Sequence, residues 1–323
     1  MTVRLTVPAR PAGSRIAGLG HYLPPTVVTN DDLVARGVNT NDEWIRSRVG
    51  IAERRFAMDE SVQDMAVGAA SKALAHAGTD PAQIDLVVVA TCTNNYQVPG
   101  SAPTVADRLG ITAPGAYDLN GACAGFVYGL ASASNAVLTG QAHTVLVIGS
   151  EKLTDYVDVY DRGTGIIFGD GAGAAVVTAA DEIGIGPVVW GSDGGNAAAI
   201  ITDPESVTLR QEGQTVYRWA TSSMADVARR ACDEAGVAVR DLAAFVPHQA
   251  NLRIIDLLAK KLELPDSVVV ARDIVTSGNT SSASIPIALS KLIEHGEVHR
   301  GDPVLTIGFG AGLTYAAQVV LAP

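Results

Sequence analysis

The hydrophobic segment TVLVIG at residues 144–149 recurs as PVLTIG at residues 303–308, 159 positions later. Both segments are continuous apolar runs, which are typical of strands buried on both faces of a sheet. Two further pairs of segments keep offsets of 158 and 156: Ala77-Gly78 with Ala235-Gly236, and Asp85-Leu86 with Asp241-Leu242. Because the order is kept, the chain is predicted to contain two similar halves, residues 15–180 and 181–323, after a flexible tail at residues 1–14.

Strand and helix signals alternate along both halves. Apolar runs predict strands at Leu86–Thr91, Thr144–Ile148, Ala174–Thr178, Ala243–Pro247, Val268–Ala271 and Val304–Ile307. Helical spacing of apolar residues predicts helices at Val62–Ala77, Ala124–Leu138, Ser223–Ala235, Leu252–Leu262 and Ile285–His295. The pattern indicates an α/β fold, and the two halves are expected to pack into one body because neither covers its own sheet alone.

The composition favours a folded protein with a large core. Of the 323 residues, 47% are hydrophobic and 18% are charged, the opposite of a disordered chain. The net charge of -11 argues against nucleic-acid binding, which needs a basic surface. The longest weakly polar stretch, Ala124–Gly140, is shorter than the roughly 20 residues that span a membrane, and residues 1–14 lack the apolar run of a signal peptide. A cytoplasmic protein is therefore expected.

One of the three cysteines is a candidate nucleophile. Their wide spacing predicts neither a disulfide framework nor a zinc site. Cys123 lies in NGACAG, residues 120–125, at a corner between a strand-like segment and an apolar helix. Free backbone N–H groups and the helix dipole favour a thiolate there, and the small neighbours leave room for a substrate. Cys92 and Cys232 are interpreted as inert buried thiols.

Two other polar residues lie at the ends of predicted elements. His248, in FVPHQAN at residues 245–251, follows a buried strand at the edge where ligands of α/β sheets collect. Asn279, in SGNTSSAS at residues 277–284, lies between a strand and a helix. Alone, that segment would indicate only a turn and a helix cap. Taken together with Cys123, His248 and Asn279 are predicted to be reactive.

Two glycine-rich segments invite comparison with nucleotide-binding loops. They are GDGAG at residues 169–173 and GFGAG at residues 308–312. Each leads into a strand, and neither carries the lysine of a phosphate loop, so nucleotide binding is rejected. The segments are interpreted as tight turns with close backbone approach.

Six segments in a fixed order resemble β-ketoacyl-acyl-carrier-protein synthase III. They are Asp42–Ile45 (DEWI), Ala122–Phe126 (ACAGF), Asp161–Thr164 (DRGT), Phe168–Gly173 (FGDGAG), Pro247–Asn251 (PHQAN) and Gly278–Ser281 (GNTS). The resemblance extends from about Arg15 to the C-terminus. It implies a thiolase-like fold, in which two duplicated halves form five α/β/α/β/α layers, usually as a homodimer. It also implies a Cys-His-Asn triad formed by Cys123, His248 and Asn279.

The family's activity is acyl transfer followed by condensation. The resemblance implies that Cys123 takes the acyl group of an acyl-CoA and that malonyl-acyl carrier protein then loses CO2. Condensation would give a 3-oxoacyl-acyl carrier protein, which initiates fatty-acid synthesis. His248 and Asn279 would stabilise the enolate without a metal or other cofactor, since acyl-CoA is a substrate. The backbone N–H groups of Cys123 and Ala311 would form the oxyanion hole. In the family this loop often consists of glycines only, whereas one of its positions here is Ala311.

Further residues are implied to bind the substrates. Trp44 and Arg162 would hold the CoA adenine between them. Weaker candidates for the CoA channel are Thr40, Arg48 and Asn251.

Two features of the sequence bear on specificity. Some relatives carry a larger aromatic residue at the position of Val98, so a wide acyl pocket that accepts branched or longer starters is expected. The basic residues Arg253, Lys260 and Lys261 follow His248 in a predicted helix. They are expected to form a docking surface for the acidic carrier protein.

Three alternatives remain open at this point. The same acyl-cysteine would serve a polyketide-priming enzyme or an acyltransferase with another acceptor. A non-catalytic partner subunit with the same fold is disfavoured because Cys123 is present. A plain α/β binding protein does not explain three reactive residue types at three element ends. The starter acyl group and the group that deprotonates Cys123 are not determined by the sequence.

Overall fold

The computed structural model describes residues 8–203 and 205–323. The strands are β1 (Gly13–Tyr22), β2 (Thr26–Thr29), β3 (Glu53–Phe56), β4 (Leu86–Ala90), β5 (Gly115–Leu119), β6 (Thr144–Lys152), β7 (Asp170–Ala180), β8 (Val189–Ser192), β9 (Ile200–Thr202), β10 (Leu209–Gln211), β11 (Ala244–Pro247), β12 (Val269–Val270), β13 (Pro303–Gly310) and β14 (Thr314–Leu321). The helices are α1 (Asn30–Ala35), α2 (Asp42–Val49), α3 (Val62–Ala77), α4 (Ser101–Arg108), α5 (Gly125–Leu138), α6 (Gly213–Ala235), α7 (Leu252–Leu262), α8 (Ile274–Ser277) and α9 (Ser284–Glu294).

Two five-stranded sheets repeat one topology. The first has the order β1-β7-β6-β4-β5, and the second has the corresponding order β8-β14-β13-β11-β12. The strands of the first sheet end at Ala180, and those of the second begin at Val189. At the edge of the first sheet, Gly13 of β1 pairs with Ala180 of β7. Residues 13 and 14 are therefore part of the sheet and not of a flexible tail, whereas residues 1–7 lie outside the described residues.

The elements stack in five layers, which confirms the thiolase-like α/β/α/β/α architecture. Helices α3 and α4 cover the outer face of the first sheet with small side chains such as Ala69 and Ala106. Helices α5 and α9 are enclosed between the two sheets, where Leu130 and Leu289 belong to one apolar cluster with residues of both. Helices α6 and α7 cover the outer face of the second sheet. The middle helices are thus shielded on both sides, which explains the apolar sequence of α5.

Helix and strand boundaries follow local signals where such signals exist. Helix α3 begins after Ser61, whose side chain forms a capping box with Asp64, and α7 spans the predicted residues. Helix α6, however, begins at Gly213, ten residues before the predicted Ser223. The segment between them contains threonine and aromatic residues, which have modest helix propensity. Tertiary packing against the second sheet holds this segment in a helix.

The two halves meet where glycines of one half face a helix start of the other. A Cβ atom on Gly149 of β6 would lie 2.6 Å from the Ser282 carbonyl oxygen. A Cβ atom on Gly308 of β13 would lie 2.8 Å from the Ala124 Cα. The segments 169–173 and 308–312 therefore serve close backbone approach, as predicted, but most of their residues lie inside β7 and β13 and not in tight turns.

The two helix starts at this junction have the same unusual backbone. Residues Ala122–Ala124 form a short 3-10 helix before α5, and Ser281–Ala283 form another before α9. Ala122 has φ 44° and Ser281 has φ 49°, values that side-chain-bearing residues seldom adopt. Each half thus contributes one strained corner to the centre of the molecule.

A smaller apolar unit packs beside this centre. The antiparallel pair β2–β3, together with α1, α2 and α8, shares a cluster that includes Leu33, Ile45 and Ile274. Ile255 of α7 belongs to the same cluster, so this unit is attached to the second half although its sequence lies mostly in the first.

Replacing Gly308 by alanine should destabilise the junction. The added methyl group meets backbone atoms of Cys123 and Ala124, which have no flexible side chain to displace. We expect a loss of about 1–3 kcal/mol in the free energy of unfolding, measured by urea denaturation. Gly213→Ala is the matched control, because a Cβ atom there meets nothing within 4 Å. Equal stability of the two variants would contradict this account of the junction.

Candidate active site

A cavity of about 630 Å³ lies between the two halves and collects the predicted triad. Cys123 of the first half lines it together with His248 and Asn279 of the second. Its volume is in the range of small-molecule sites. The lining also includes Ile200 and Leu209, so the β9–β10 hairpin forms part of the wall.

Cys123 follows the strained Ala122, and this corner turns its thiol into the cavity. Gly310 passes so close that a Cβ atom there would lie 2.9 Å from Cys123 Sγ. Burial raises the pKa of the Cys123 thiol to about 11, against the opposing effect of hydrogen bonds from the Ser281 hydroxyl and from the backbone N–H groups of Cys123 and Ala311. The expectation of a thiolate in the free protein was therefore wrong, because desolvation outweighs the helix start.

His248 is held as a neutral imidazole with a defined proton position. It follows β11, is 2% exposed, and burial lowers its pKa to about 3. Its Nδ1 lies 2.8 Å from the Ser284 Oγ, and the Gln249 N–H donates to the same hydroxyl oxygen at 3.3 Å. The Gln249 N–H occupies one lone pair of this oxygen and leaves the Ser284 O–H free to donate to Nδ1. The imidazole proton then lies on Nε2, where it is available as a donor.

Asn279 is oriented by its own turn. Its backbone bridges to Phe168, and its Oδ1 accepts a hydrogen bond of 2.8 Å from the Ser281 N–H. Because Oδ1 is occupied, the side-chain NH2 is the group left to face the cavity. His248 and Asn279 thus each provide a neutral donor, and Cys123 provides the nucleophile.

Two residues of the site escaped the sequence interpretation. Cys92 is partly exposed and lines the same cavity as Cys123, so it is not the buried core thiol that was expected, although desolvation and the neighbouring Glu151 raise its pKa well above the ordinary value. Glu151 is fully buried behind it and accepts hydrogen bonds from Cys92 and Ser282. The sequence did contain a signal for Cys92. This residue comes directly after the strand-forming run Leu86–Thr91, as His248 comes directly after its own strand.

The proposed CoA-binding residues differ in position. The Arg162 guanidinium lies 3.9 Å from the Trp44 ring centroid, so the two side chains stack on each other with no gap for an adenine. Arg48 lies 5.8 Å from the same ring and lines the cavity. Asn251 also lines it, but its amide caps α7 and donates to the Arg48 carbonyl. The hydroxyl of Thr40 is buried without a partner in the described part of the chain.

The residues expected to set specificity lie mainly outside the cavity. Val98 is 86% exposed, and in the described chain it does not belong to the cavity lining. Arg253 lines the cavity, with its guanidinium over the Tyr217 ring at 5.4 Å. Lys260 is exposed, whereas the Lys261 ammonium donates to the Thr221 carbonyl at 2.6 Å. The three basic residues are therefore not equally free to meet a partner.

The described residues, 8–203 and 205–323, hold neither a candidate metal cluster nor a helix that could span a membrane. They contain no cluster of three or more His, Cys, Asp or Glu side chains that could hold a metal ion. No helix among them is long and apolar enough to cross a membrane.

The fold and the site together define a condensing enzyme of the acyltransferase type. Residues 117–194 match the family 3-oxoacyl-[acyl-carrier-protein (ACP)] synthase III, and residues 232–321 match its C-terminal family. The chain is 55% identical over 317 residues to beta-ketoacyl-[acyl-carrier-protein] synthase III 4 of Streptomyces coelicolor, covering 96% of this chain and 99% of the relative. It is 47% identical to beta-ketoacyl-[acyl-carrier-protein] synthase III of Kocuria rhizophila, covering 100% and 99%. The chain therefore belongs to the β-ketoacyl-acyl-carrier-protein synthase III family.

Solved structures agree with this assignment. The priming beta-ketosynthase from the R1128 polyketide biosynthetic pathway matches with a TM-score of 0.95 and 47% identity, covering 99% of this chain and 98% of that one. The 3-oxoacyl-[acyl-carrier-protein] synthase III from Aquifex aeolicus matches with a TM-score of 0.92 and 41% identity, covering 96% and 100%.

The neutral state of His248 should appear in the pH dependence of stability. The unfolded chain takes up a proton at this histidine below pH 6.5, whereas the folded chain does not until about pH 3. Its contribution is thus fully present above pH 6.5 and decreases between pH 6.5 and 3, by at most about 1.4 kcal/mol per pH unit. Urea unfolding of wild type and His248→Gln should show the wild type losing stability more steeply from pH 6.5 to 4.5.

The matched control is His299→Gln, which removes an exposed histidine. It should follow the wild-type curve over the same pH range. Parallel curves for wild type and His248→Gln would contradict a neutral buried imidazole.

Proposed function

We propose that the protein condenses an acyl-CoA starter with malonyl-acyl carrier protein through an acyl-Cys123 intermediate. The product is a 3-oxoacyl-acyl carrier protein, and the reaction initiates fatty-acid synthesis. The observation that carries the proposal is the meeting of Cys123, His248 and Asn279 in one cavity, with a donor group left free on each of the last two. Such a site stabilises an enolate without a metal, and acyl-CoA is consumed as a substrate and not used as a cofactor.

The first half-reaction transfers the acyl group. Cys123 Sγ attacks the thioester carbonyl carbon, the bond to the CoA sulfur breaks, and CoA leaves. The backbone N–H groups of Cys123 and Ala311, which lower the pKa of the Cys123 thiol, would be the donors to the developing oxyanion. Ala311 supplies this donor as well as glycine does, since only its backbone is used.

The second half-reaction forms the carbon–carbon bond. Loss of CO2 from the malonyl group leaves an enolate, whose oxygen accepts hydrogen bonds from His248 Nε2–H and the Asn279 NH2. The enolate carbon attacks the acyl-cysteine, and collapse of the tetrahedral intermediate releases the Cys123 thiolate. A neutral His248 suits this role, because it donates a hydrogen bond without giving up its proton.

The CoA nucleotide is proposed to bind beside the cavity. The stacked side chains of Trp44 and Arg162 offer two planar groups. Adenine would insert between them and stack on both. Arg48, which lines the cavity, is suited to the CoA phosphates. Thr40 and Asn251 are weaker candidates, and the amide of Asn251 is already used at the start of α7.

The wide acyl pocket is proposed to require a homodimer. Val98 is exposed in its own chain, next to Tyr96, which is 66% exposed. Val98 can therefore shape an acyl pocket only by reaching the cavity of a second copy. Its small side chain would then leave room for branched or longer starters.

Carrier-protein docking is proposed for the surface around α7. Arg253 lies at the cavity, and Lys260 is exposed about two turns further along the same face of the helix. Lys261 contributes less, since its ammonium is engaged by the Thr221 carbonyl. A basic surface at the entrance of a chain with net charge -11 would attract an acidic partner and direct it to the site. These substrates agree with the expected cytoplasmic location.

Polyketide priming is the second candidate function. The likeness to the R1128 priming beta-ketosynthase favours it, and that role would use the same acyl-Cys123. The two functions differ in the starter acyl group and in the carrier protein that receives it.

Intact-protein mass spectrometry with a panel of acyl-CoAs tests the proposal. Wild type should gain the mass of one acyl group, and Cys123→Ala should gain none. Branched or longer starters should label the wild type at least as fast as acetyl-CoA. Strict preference for acetyl would contradict the wide pocket, whereas labelling of Cys123→Ala, or of neither protein, would contradict the acyl-Cys123 mechanism.

Reversing one charge tests the docking surface. Arg253→Glu should raise the KM for malonyl-acyl carrier protein about tenfold, because a charge at the entrance is lost and inverted. The rate with the small substrate malonyl-pantetheine should change much less. Arg240→Glu, on an exposed residue of the second half, is the matched control and should leave both values unchanged. Equal effects on carrier-bound and small substrates would place Arg253 outside the docking surface.

A further inference from the structure

Glu151 of β6 is a buried carboxylate that the proposed reaction does not use. It is 0% exposed, and the ammonium of the next residue, Lys152, is directed to Asp155 instead. Its oxygens accept hydrogen bonds from the Thr93 hydroxyl (2.7 Å) and from the Cys92 N–H (3.1 Å). Burying a carboxylate is costly unless such donors surround it, so the position calls for a group that only accepts.

The same carboxylate holds a residue of the other half. The Ser282 hydroxyl lies between two acceptors, Glu151 Oε1 at 2.8 Å and the Ala90 carbonyl oxygen at 2.9 Å. This hydroxyl is therefore fixed between the ends of β4 and β6. Cys92 Sγ, which lies 3.4 Å from Glu151 Oε1 and 3.9 Å from Ser281 Oγ, adds a contact one residue earlier. Glu151 thus anchors the Ser281–Ser282 corner.

This corner determines where the Asn279 side chain points. The Ser281 N–H donates to Asn279 Oδ1 at 2.8 Å, which leaves the side-chain NH2 as the donor toward the cavity. Ser281 has φ 49°, and such a strained backbone persists only where its surroundings hold it. The hydrogen bond that orients Asn279 therefore depends on the anchor at Ser282.

The other half contains the same turn without the carboxylate. Asn120 lies 159 positions before Asn279, and its Oδ1 accepts from the Ala122 N–H at a longer distance of 3.2 Å. The strand position of Glu151 corresponds there to Gly310. Asn120 is exposed, whereas Asn279 is 5% exposed. The turn can thus form without a carboxylate, and Glu151 accompanies the copy whose amide serves the proposed reaction.

We propose that Glu151 is a positioning residue for Asn279. It holds Ser282 and the strained Ser281, so that the Asn279 NH2 stays directed at the oxygen of the enolate. Glu151 acts through these serines and not on the substrate. Because Cys123 lies on the other corner, the effect belongs to the decarboxylation step and not to acylation.

The inference rests on the proposed function, and separate measurement of the two half-reactions tests it. Glu151→Gln keeps the shape of the side chain but places an NH2 among donors. Release of CO2 from malonyl-acyl carrier protein by the acyl-enzyme should be about 100-fold slower, the loss expected when a reacting group is misplaced by about 1 Å. Single-turnover acylation of Cys123 by acetyl-CoA should change by less than about threefold, because its oxyanion donors belong to other segments.

Ser282→Ala tests the same contact from its other side and carries the test if Glu151→Gln folds poorly. It should slow CO2 release selectively, as Glu151→Gln does. The double variant should be no slower than the slower single variant, because both changes remove one interaction. Ser134→Ala is the matched control, since it removes another buried hydroxyl, bonded to Ser14 at 2.8 Å, and it should leave both rates unchanged.

Amide hydrogen exchange tests the anchor without any reaction. The N–H of Ser281 is protected by its bond to Asn279 Oδ1. In Glu151→Gln and Ser282→Ala, exchange in the peptide that contains Ser281 should be about tenfold faster, because the corner opens more often. Ser134→Ala should exchange there at the wild-type rate.

Two results would overturn the positioning role. One is an equal slowing of acylation and CO2 release in Glu151→Gln and Ser282→Ala, which indicates a structural role only. The other is unchanged exchange of the Ser281 peptide in both variants. If wild type forms no acyl-enzyme at all, the proposed function fails instead, and the exchange measurement alone then decides whether Glu151 holds the corner.

Discussion

The close contact between backbone segments of the two halves is the constraint on which the site depends. At Gly149 and Gly308, a strand of one half touches a helix start of the other with no side chain between them. This contact brings the corner that carries Cys123 into the cavity where the second half places His248 and Asn279. The triad is therefore a property of the junction, and neither half contains a complete site.

The same enclosure sets the electrostatic character of the chemistry. Burial keeps His248 neutral and raises the pKa of Cys123, so the resting site holds few charges near the nucleophile. In such a medium, fixed donors interact strongly with a developing oxyanion because little water competes with them. Ser284 and the Ser281 N–H matter in this setting, since they determine which atoms of His248 and Asn279 are left to donate.

Much of this arrangement could be predicted from the sequence, for identifiable reasons. The duplicated α/β architecture follows from apolar runs that recur at one spacing, and Cys123, His248 and Asn279 were found because each ends or begins a recognisable element. Residues whose roles depend on packing between the halves were harder to predict. Glu151 lies three residues beyond the predicted strand Thr144–Ile148, within the longer observed β6, and its surroundings include Ser282 of the other half.

Other differences have the same origin. The direct stacking of Arg162 on Trp44 and the position of Val98 outside the cavity depend on side-chain packing and on surfaces that periodicity does not describe. The length of α6 was underestimated because its first ten residues are helical through contacts with the second sheet, not through their own propensity.

The two strained corners have the same backbone shape, but only the one that carries Cys123 is known to present a nucleophile to the cavity. Ser282 follows the strained Ser281 as Cys123 follows the strained Ala122, and the strand position that is Gly310 beside Cys123 is Glu151 beside Ser282. Where glycine leaves space for an acyl group, the carboxylate fills it. The duplicated fold therefore offers one accessible position for a nucleophile, although both of its corners have the same backbone shape.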